Sequence, residues 1–272
     1  MRGLRYRVRR GASVPSPDTR FDEGRVDAPL LEILDDDELR RLNELLPWQC
    51  FTVDALGRPF GACAWAGKRS DPQVIPDPRI VELDRRFGLR TKHVLEVGCF
   101  EGAHTVALCR LARDVTAIDA RVENVVKTIV RCAFFDQQPR VITIDLERQE
   151  QPRHLLKADV CHHIGVLYHL SDPVRHLRRL GEWIGEGLML DTHYAGTGEA
   201  TDEYEVDGVS FAYRRFRESG REDAFSGVRD HAKWLELETI TDLLRQAGFS
   251  DIDVAERRAE RNGPRALIYV SR

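Results

Sequence analysis

Residues 94–105 read VLEVGCFEGAHT, an apolar run that meets a glycine-bearing turn and then a helical pattern. Such a turn offers backbone N–H groups beside the positive end of a helix, a natural seat for a ligand's polar tail. Gly98 and Gly102 let the backbone approach a ligand closely. A G-x-G-x-x-G register would fall on Gly98, Phe100 and Ala103, so a phenylalanine stands where close phosphate contact needs no side chain. An uncharged or zwitterionic tail fits this turn better than a pyrophosphate, and plain strand-to-helix geometry remains the alternative. Asp119 follows Gly98 by about 20 residues, the spacing at which a carboxylate can accept both hydroxyls of a ribose; capping the next helix is its other use. Asp145 ends VITID, where it or the Leu146 backbone can meet an adenine edge, or where it is simply a loop aspartate.

Further along, Tyr168 and His169 follow a fourth apolar run, and His193 and Tyr194 follow a fifth. All four then sit at one mouth. His193 is the favoured general base because imidazole titrates near neutral pH; ordering its own loop is the other reading. His162, His163, His169, His193 and Asp191 invite a metal, but adjacent residues of a strand point to opposite faces, so no metal is expected.

These side chains need a frame. HVLEVG, DVTAID, VITIDL, DVCHHIG and GLMLDTH are continuous apolar strands, separated by amphipathic helical patterns such as AHTVALCRLAR, RVENVVKTIVRCAFF and SDPVRHLRRLGEWI. That alternation calls for a parallel sheet covered by helices on both faces. After ETITDLLRQAGF, a helix ended by Gly248, DIDVAER and ALIYVSR close the chain as two further strands. The expectation is an α/β doubly wound, Rossmann-like seven-stranded sheet, mostly parallel, with an antiparallel C-terminal strand.

Ahead of this unit, residues 1–25 are basic and then rich in Pro and Ser, and read as a mobile tail or a nucleic-acid arm. Residues 26–75 form an N-terminal extension: a helix with Asp35 or Asp36 available as cap, ended by Pro47, then a hairpin in FTVDALGRPFG. The helix's leucines suit packing on the core or, equally, a homodimer contact. The main domain spans 76–272, with a substrate-lid insertion at 196–234. Its EYEVDGVSFAYRRF alternates about Asp207-Gly208, a hairpin signal. Tyr194, Tyr213, Arg214, Trp234 and Arg265 are the candidate acceptor-binding residues.

The 272 residues, 42% hydrophobic, suffice for one sizeable core. A net charge of −4 weighs against a dedicated nucleic-acid binder. There is no apolar stretch of membrane-spanning length or secretory type, and six scattered cysteines lack a C-x-x-C pair. A cytoplasmic protein without membrane partners is expected.

Taken in order, VLEVGCFEG, the acid after the second strand, the acid after the third and GVLYHLSDPVRHLRRL after the fourth resemble class I S-adenosylmethionine-dependent methyltransferases over about residues 76–272. The resemblance implies S-adenosyl-L-methionine as cofactor. Glu96, Gly98 and Gly102 would border its methionine end, with Cys99 and Phe100 in the same turn. Asp119 would take the ribose and Asp145 with Leu146 the adenine side, with Ala120 and Gly165 as further cofactor-binding residues. Tyr168, His169 and His193 become the candidate catalytic residues for methyl transfer to an oxygen or nitrogen of a small metabolite. GVLYHLSDPVRHL and GPRALIYVSR are also similar to the bacterial tRNA wobble-uridine carboxymethyltransferases, whose carboxylated cofactor is gripped by the equivalents of Tyr168 and Arg265 and by a lysine after a Pro-Trp pair. Here Pro47-Trp48 is followed by Gln49, with Lys68 as a distant substitute. Transfer to tRNA and a catalytically silent cofactor-binding protein are the competing readings; a nicotinamide oxidoreductase is disfavoured by Phe100.

Overall fold

The computed structural model describes residues 34–54, 56–61, 71–148 and 150–272. The expected tail and Lys68 lie outside them. The first helix, α1 (Asp36–Leu45), starts at Asp35, whose carboxylate accepts from the Glu38 N–H while Glu38 returns a bond to the Asp35 N–H. Leu39 and Leu42 turn inward. The hairpin β1 (Phe51–Val53) and β2 (Pro59–Gly61) follows, then α2 (Pro78–Phe87), capped by Asp77 and ended by Gly88 in the left-handed region.

Strand and helix then alternate: β3 (His93–Val97), α3 (Ala103–Leu111), β4 (Asp114–Asp119), α4 (Val122–Phe134), β5 (Arg140–Thr143), α5 (Arg153–Leu156), β6 (Ala158–Ile164), α6 (Pro173–Trp183) and β7 (Ile184–His193). An insertion carries β8 (Asp202–Val206), β9 (Val209–Arg217) and β10 (His231–Trp234); α7 (Leu237–Gln246), β11 (Asp251–Glu260) and β12 (Gly263–Ser271) complete the chain.

The seven-stranded sheet runs β11-β12-β7-β6-β3-β4-β5, parallel from β7 to β5, with β12 antiparallel to both neighbours. This is the expected Rossmann-like arrangement. Strand order reverses between β3 and β6, which opens the crevice where such sheets bind ligands. One face is covered by α6 and α7: α6 buries Val174, Leu177, Leu180 and Trp183, each worth roughly 1.5–3 kcal/mol of apolar transfer. The other face packs against α1, α2, α3 and the first hairpin. β5 stops at Thr143, short of the expected strand, because Asp145 Oδ1 accepts from the Glu147 N–H and turns the chain.

Two charged residues in α4 dock the N-terminal extension. Arg131, fully buried, donates to the carbonyls of Glu101, Cys50 and Phe60 and to the Thr52 hydroxyl. Lys127 pairs with buried Glu101 at 2.7 Å, and that carboxylate also accepts from the Gln49 and Cys50 N–H groups. In the insertion, β8 and β9 turn at Asp207-Gly208, both at positive φ.

Candidate functional site

A cavity of about 620 Å³ opens at the C-terminal ends of β3, β4 and β6. Gly98 leaves β3 at φ +80°; a Cβ there would lie 2.2 Å from Val166 Cγ2, so only glycine fits. The Gly98 and Cys99 N–H groups both donate to the Ile118 carbonyl and are therefore not free to cradle a phosphate. Phe100 takes the left-handed conformation usual for glycine, at φ +50°, and its N–H donates to Asp119 Oδ2 at 3.1 Å. Asp119 also accepts from the Arg121 N–H at 2.9 Å, and burial pushes its carboxyl upward. Gly102 does not line the cavity; a Cβ there would come 3.0 Å from the Thr128 backbone, so its role is helix packing.

Beneath the turn, Glu96 accepts from the Thr105 hydroxyl at 2.6 Å, and burial pushes its carboxyl up to about 8. Asp145 and Leu146 line the far end, where Arg229 donates to Asp145. Ala120 and Gly165 also line the cavity.

At the mouth, Tyr168 lies between two histidines, its ring centroid 4.2 Å from His169 and 4.7 Å from His193. His193 Nδ1 is 3.1 Å from the Pro264 carbonyl and therefore carries the proton of the neutral ring; Nε2 lies 3.6 Å from Glu260. Burial and then the Arg265 cation hold His193 below the ordinary histidine range. His169 Nδ1 meets Glu218 Oε1 at 2.8 Å, and Glu218 also accepts from the Ser226 hydroxyl and the Gly227 N–H. Burial raises the Glu218 carboxyl, but these bonds outweigh it and hold it low. Behind Tyr168, Asp191 is fully buried between Arg79, Arg258 and Arg265, whose cations keep it ionised against its burial.

The cavity thus gathers Glu96, Gly98, Cys99, Phe100, Asp119, Ala120, Asp145, Leu146, Gly165, Tyr168, His169, His193 and Arg265. Four expected acceptor contacts are not among its lining. Tyr213 points into the main core because the hairpin's two-residue period turns it inward against Tyr204. Tyr194 packs on the same core. Arg214 pairs with Glu199, and its guanidinium lies over Trp234. Trp234 is 1% exposed, stacks on His193 at 5.0 Å and donates Nε1–H to the Tyr168 carbonyl, so it backs the mouth without lining it. The insertion reaches the cavity instead through Ala224–Val228, where Phe225 lies against Phe100 at 5.4 Å between centroids. Arg121 anchors this segment by donating to the Gly220 and Asp223 carbonyls.

Sequence reasoning missed Glu218, Phe225, Glu260 and Arg79 as parts of the site. Only Arg79 carried a signal, the Asp-Pro-Arg helix start at 77–79.

A family model described as a methyltransferase domain matches residues 78–254. Ubiquinone biosynthesis O-methyltransferase of Coxiella burnetii is 20% identical over 192 residues, covering 70% of this chain and 76% of that protein. A tRNA U34 carboxymethyltransferase of Glaesserella parasuis is 26% identical over 253 residues, covering 81% and 74%. In fold, the N-terminal domain of EvdMO1, solved in the presence of S-adenosylhomocysteine and D-fucose, superposes with a TM-score of 0.67 at 24% identity over 88% of this chain and 97% of that one. Magnesium protoporphyrin IX methyltransferase of Synechocystis, solved with bound S-adenosylmethionine, gives 0.51 at 16% identity, covering 72% and 77%. Among the described residues no helix is long and apolar enough to cross a membrane.

Proposed function

The chain belongs to the methyltransferase-domain family and is a class I S-adenosylmethionine-dependent methyltransferase; from that premise we propose that it methylates an oxygen or nitrogen of a small hydroxylated metabolite, a saccharide or secondary-metabolite intermediate. The cavity's size lies within the range of about 300–1,000 Å³ usual for small-molecule sites, and the chain's own Ala224–Val228 segment closes over it. The structural neighbour solved with D-fucose lends support to a sugar-like acceptor.

The residues present fit the cofactor from end to end. Glu96 lines the amino-acid end, Asp119 is fixed by two backbone N–H groups at the sugar, and Asp145 with Leu146 borders the base. When bound, S-adenosylmethionine supplies an electrophilic methyl group on a sulfonium. The chain's share is then alignment and proton removal.

The observation that carries this reading is the state of His193. Its Nδ1–H is committed to the Pro264 carbonyl, so the basic lone pair is on Nε2 at the cavity wall, and burial with the Arg265 cation holds the ring below the ordinary histidine range. An acceptor hydroxyl beside Nε2 would give up its proton there. His169, oriented by Glu218, flanks Tyr168 on the other side, where it would hold a second hydroxyl of the same acceptor.

Carboxymethyl transfer to tRNA is the second reading, because Tyr168 and Arg265 both line the cavity. Against it, Arg265 is already engaged by Asp191 and Glu260. Its guanidinium therefore has little charge to spare for a further carboxylate, and the segment after Trp48 presents its backbone to Glu101.

Calorimetric titration with S-adenosylmethionine, its carboxy derivative and NADH, followed by mass spectrometry of free and glycosidically linked sugars incubated with enzyme, tests the proposal. Binding of the first alone and one methylated sugar are expected. Preference for the carboxy derivative with modified tRNA would replace it. Cofactor binding without any methylated product would favour a silent binding protein.

A further inference from the structure

Three side chains with metal-ligating atoms converge from three elements at the edge of the cavity, which two of them line: Glu96 on β3, His104 in the first turn of α3, and, behind them, His162 on β6. Glu96 and His162 are direct partners in the parallel β3–β6 register, so they leave the same face of the sheet. The His104 ring stands edge-on to that of His162, with centroids 5.1 Å apart. One donor atom from each residue lies within 4.8 Å of the other two.

The second observation concerns His162 alone. Its side chain is 1% exposed, and both ring nitrogens are buried without a hydrogen-bond partner among the described residues. Leaving one buried polar atom unsatisfied costs about 1–3 kcal/mol, so two on one ring ask for an occupant. The nearest carboxylate oxygen, on Glu96, is 3.9 Å from Nδ1, too far for a hydrogen bond but a separation an intervening atom would bridge.

Around these donors stands a shell of the kind that orients metal ligands. The Thr105 hydroxyl donates to Glu96, and Asp77 Oδ2 lies 3.4 Å from His104 Nε2. His163, the neighbour of His162, faces the other way and pairs with His176 at 2.8 Å. The divergence of adjacent strand residues thus holds, but a helix supplies the second histidine that the strand cannot.

We propose that Glu96, His104 and His162 form a binding site for one divalent cation of the zinc and cobalt class. Two imidazoles and one carboxylate suit such an ion, whereas magnesium and calcium prefer all-oxygen sets. Bond lengths of about 2.0–2.2 Å require the widest donor pair to draw in by roughly 1 Å. His104, 20% exposed on the cavity wall, has the room to make that adjustment. Glu96 and His104 both line the cavity, which provides the entry path and leaves the remaining coordination position facing it.

The test is titration of the full-length, chelator-stripped protein with Co²⁺, followed by visible d–d absorption and by displacement with Zn²⁺. The expected result is one equivalent bound, with affinity reduced at least tenfold in His162→Ala and in His104→Ala. If His162→Ala fails to fold by circular dichroism, the less buried His104 position carries the comparison. Absence of d–d bands in the folded protein would overturn the proposal. So would bands that persist unchanged in His104→Ala, which would place the cation elsewhere, for instance on cysteine.

Discussion

Nδ1 of His169 lies 2.8 Å from Oε1 of Glu218, across 49 residues of sequence, and the same carboxylate accepts from the Gly227 N–H in the segment that closes the cavity. One buried anion therefore holds both a cavity histidine and the closing loop. Replacing it with a neutral amide, Glu218→Gln, is expected to lower kcat by roughly 10–100-fold and to move the pH–rate profile. A purely structural role would instead lower thermal stability and leave the profile of the remaining activity in place.

Asp119 is held by the Phe100 and Arg121 N–H groups in the position proposed for the ribose hydroxyls. Asp119→Ala should weaken S-adenosylmethionine binding by at least tenfold, about 1.4 kcal/mol, as read by calorimetry. Unchanged affinity would remove the ribose assignment.

His193 sits below the ordinary histidine range because of burial and the nearby Arg265 cation. A base with a lowered pKa stays unprotonated to lower pH, so the acid limb of kcat/KM should fall below about 6.5. Taking away the cation in Arg265→Gln removes a force that disfavours protonation, and the limb should move upward. His193→Asn should cost about 10²–10⁴ in kcat with cofactor affinity retained. An acid limb that does not respond to Arg265→Gln would assign the titration to another group.

Lys127 and Glu101 form a buried ion pair that also fixes the backbone at Gln49 and Cys50. Lys127→Met leaves the carboxylate buried and uncompensated, a loss of about 3–5 kcal/mol. For a chain of this size that corresponds to a fall in Tm on the order of 10 °C. A change within a degree or two would mean that Glu101 is satisfied by the backbone alone.

Much of this molecule is legible in its sequence because the information is local. Continuous apolar strands separated by amphipathic helices specify a parallel doubly wound sheet whatever the distant residues do. The turn after β3 and the acid after β4 sit at fixed offsets from those strands, so Gly98, Asp119, Asp145 and Tyr168 were placed at the cavity by chain order alone. What the sequence lacked was any record of which side chains from remote segments arrive beside them. Glu218 reaches His169 only because β9 pairs with β10, which returns the chain beside the mouth. Tyr213 and Trp234 have the composition of a substrate lid, yet packing against the core and against His193 decided their direction. Alternation along a strand says that neighbours face opposite ways; which face meets the core, and which histidine a helix brings to His162, are set by tertiary packing.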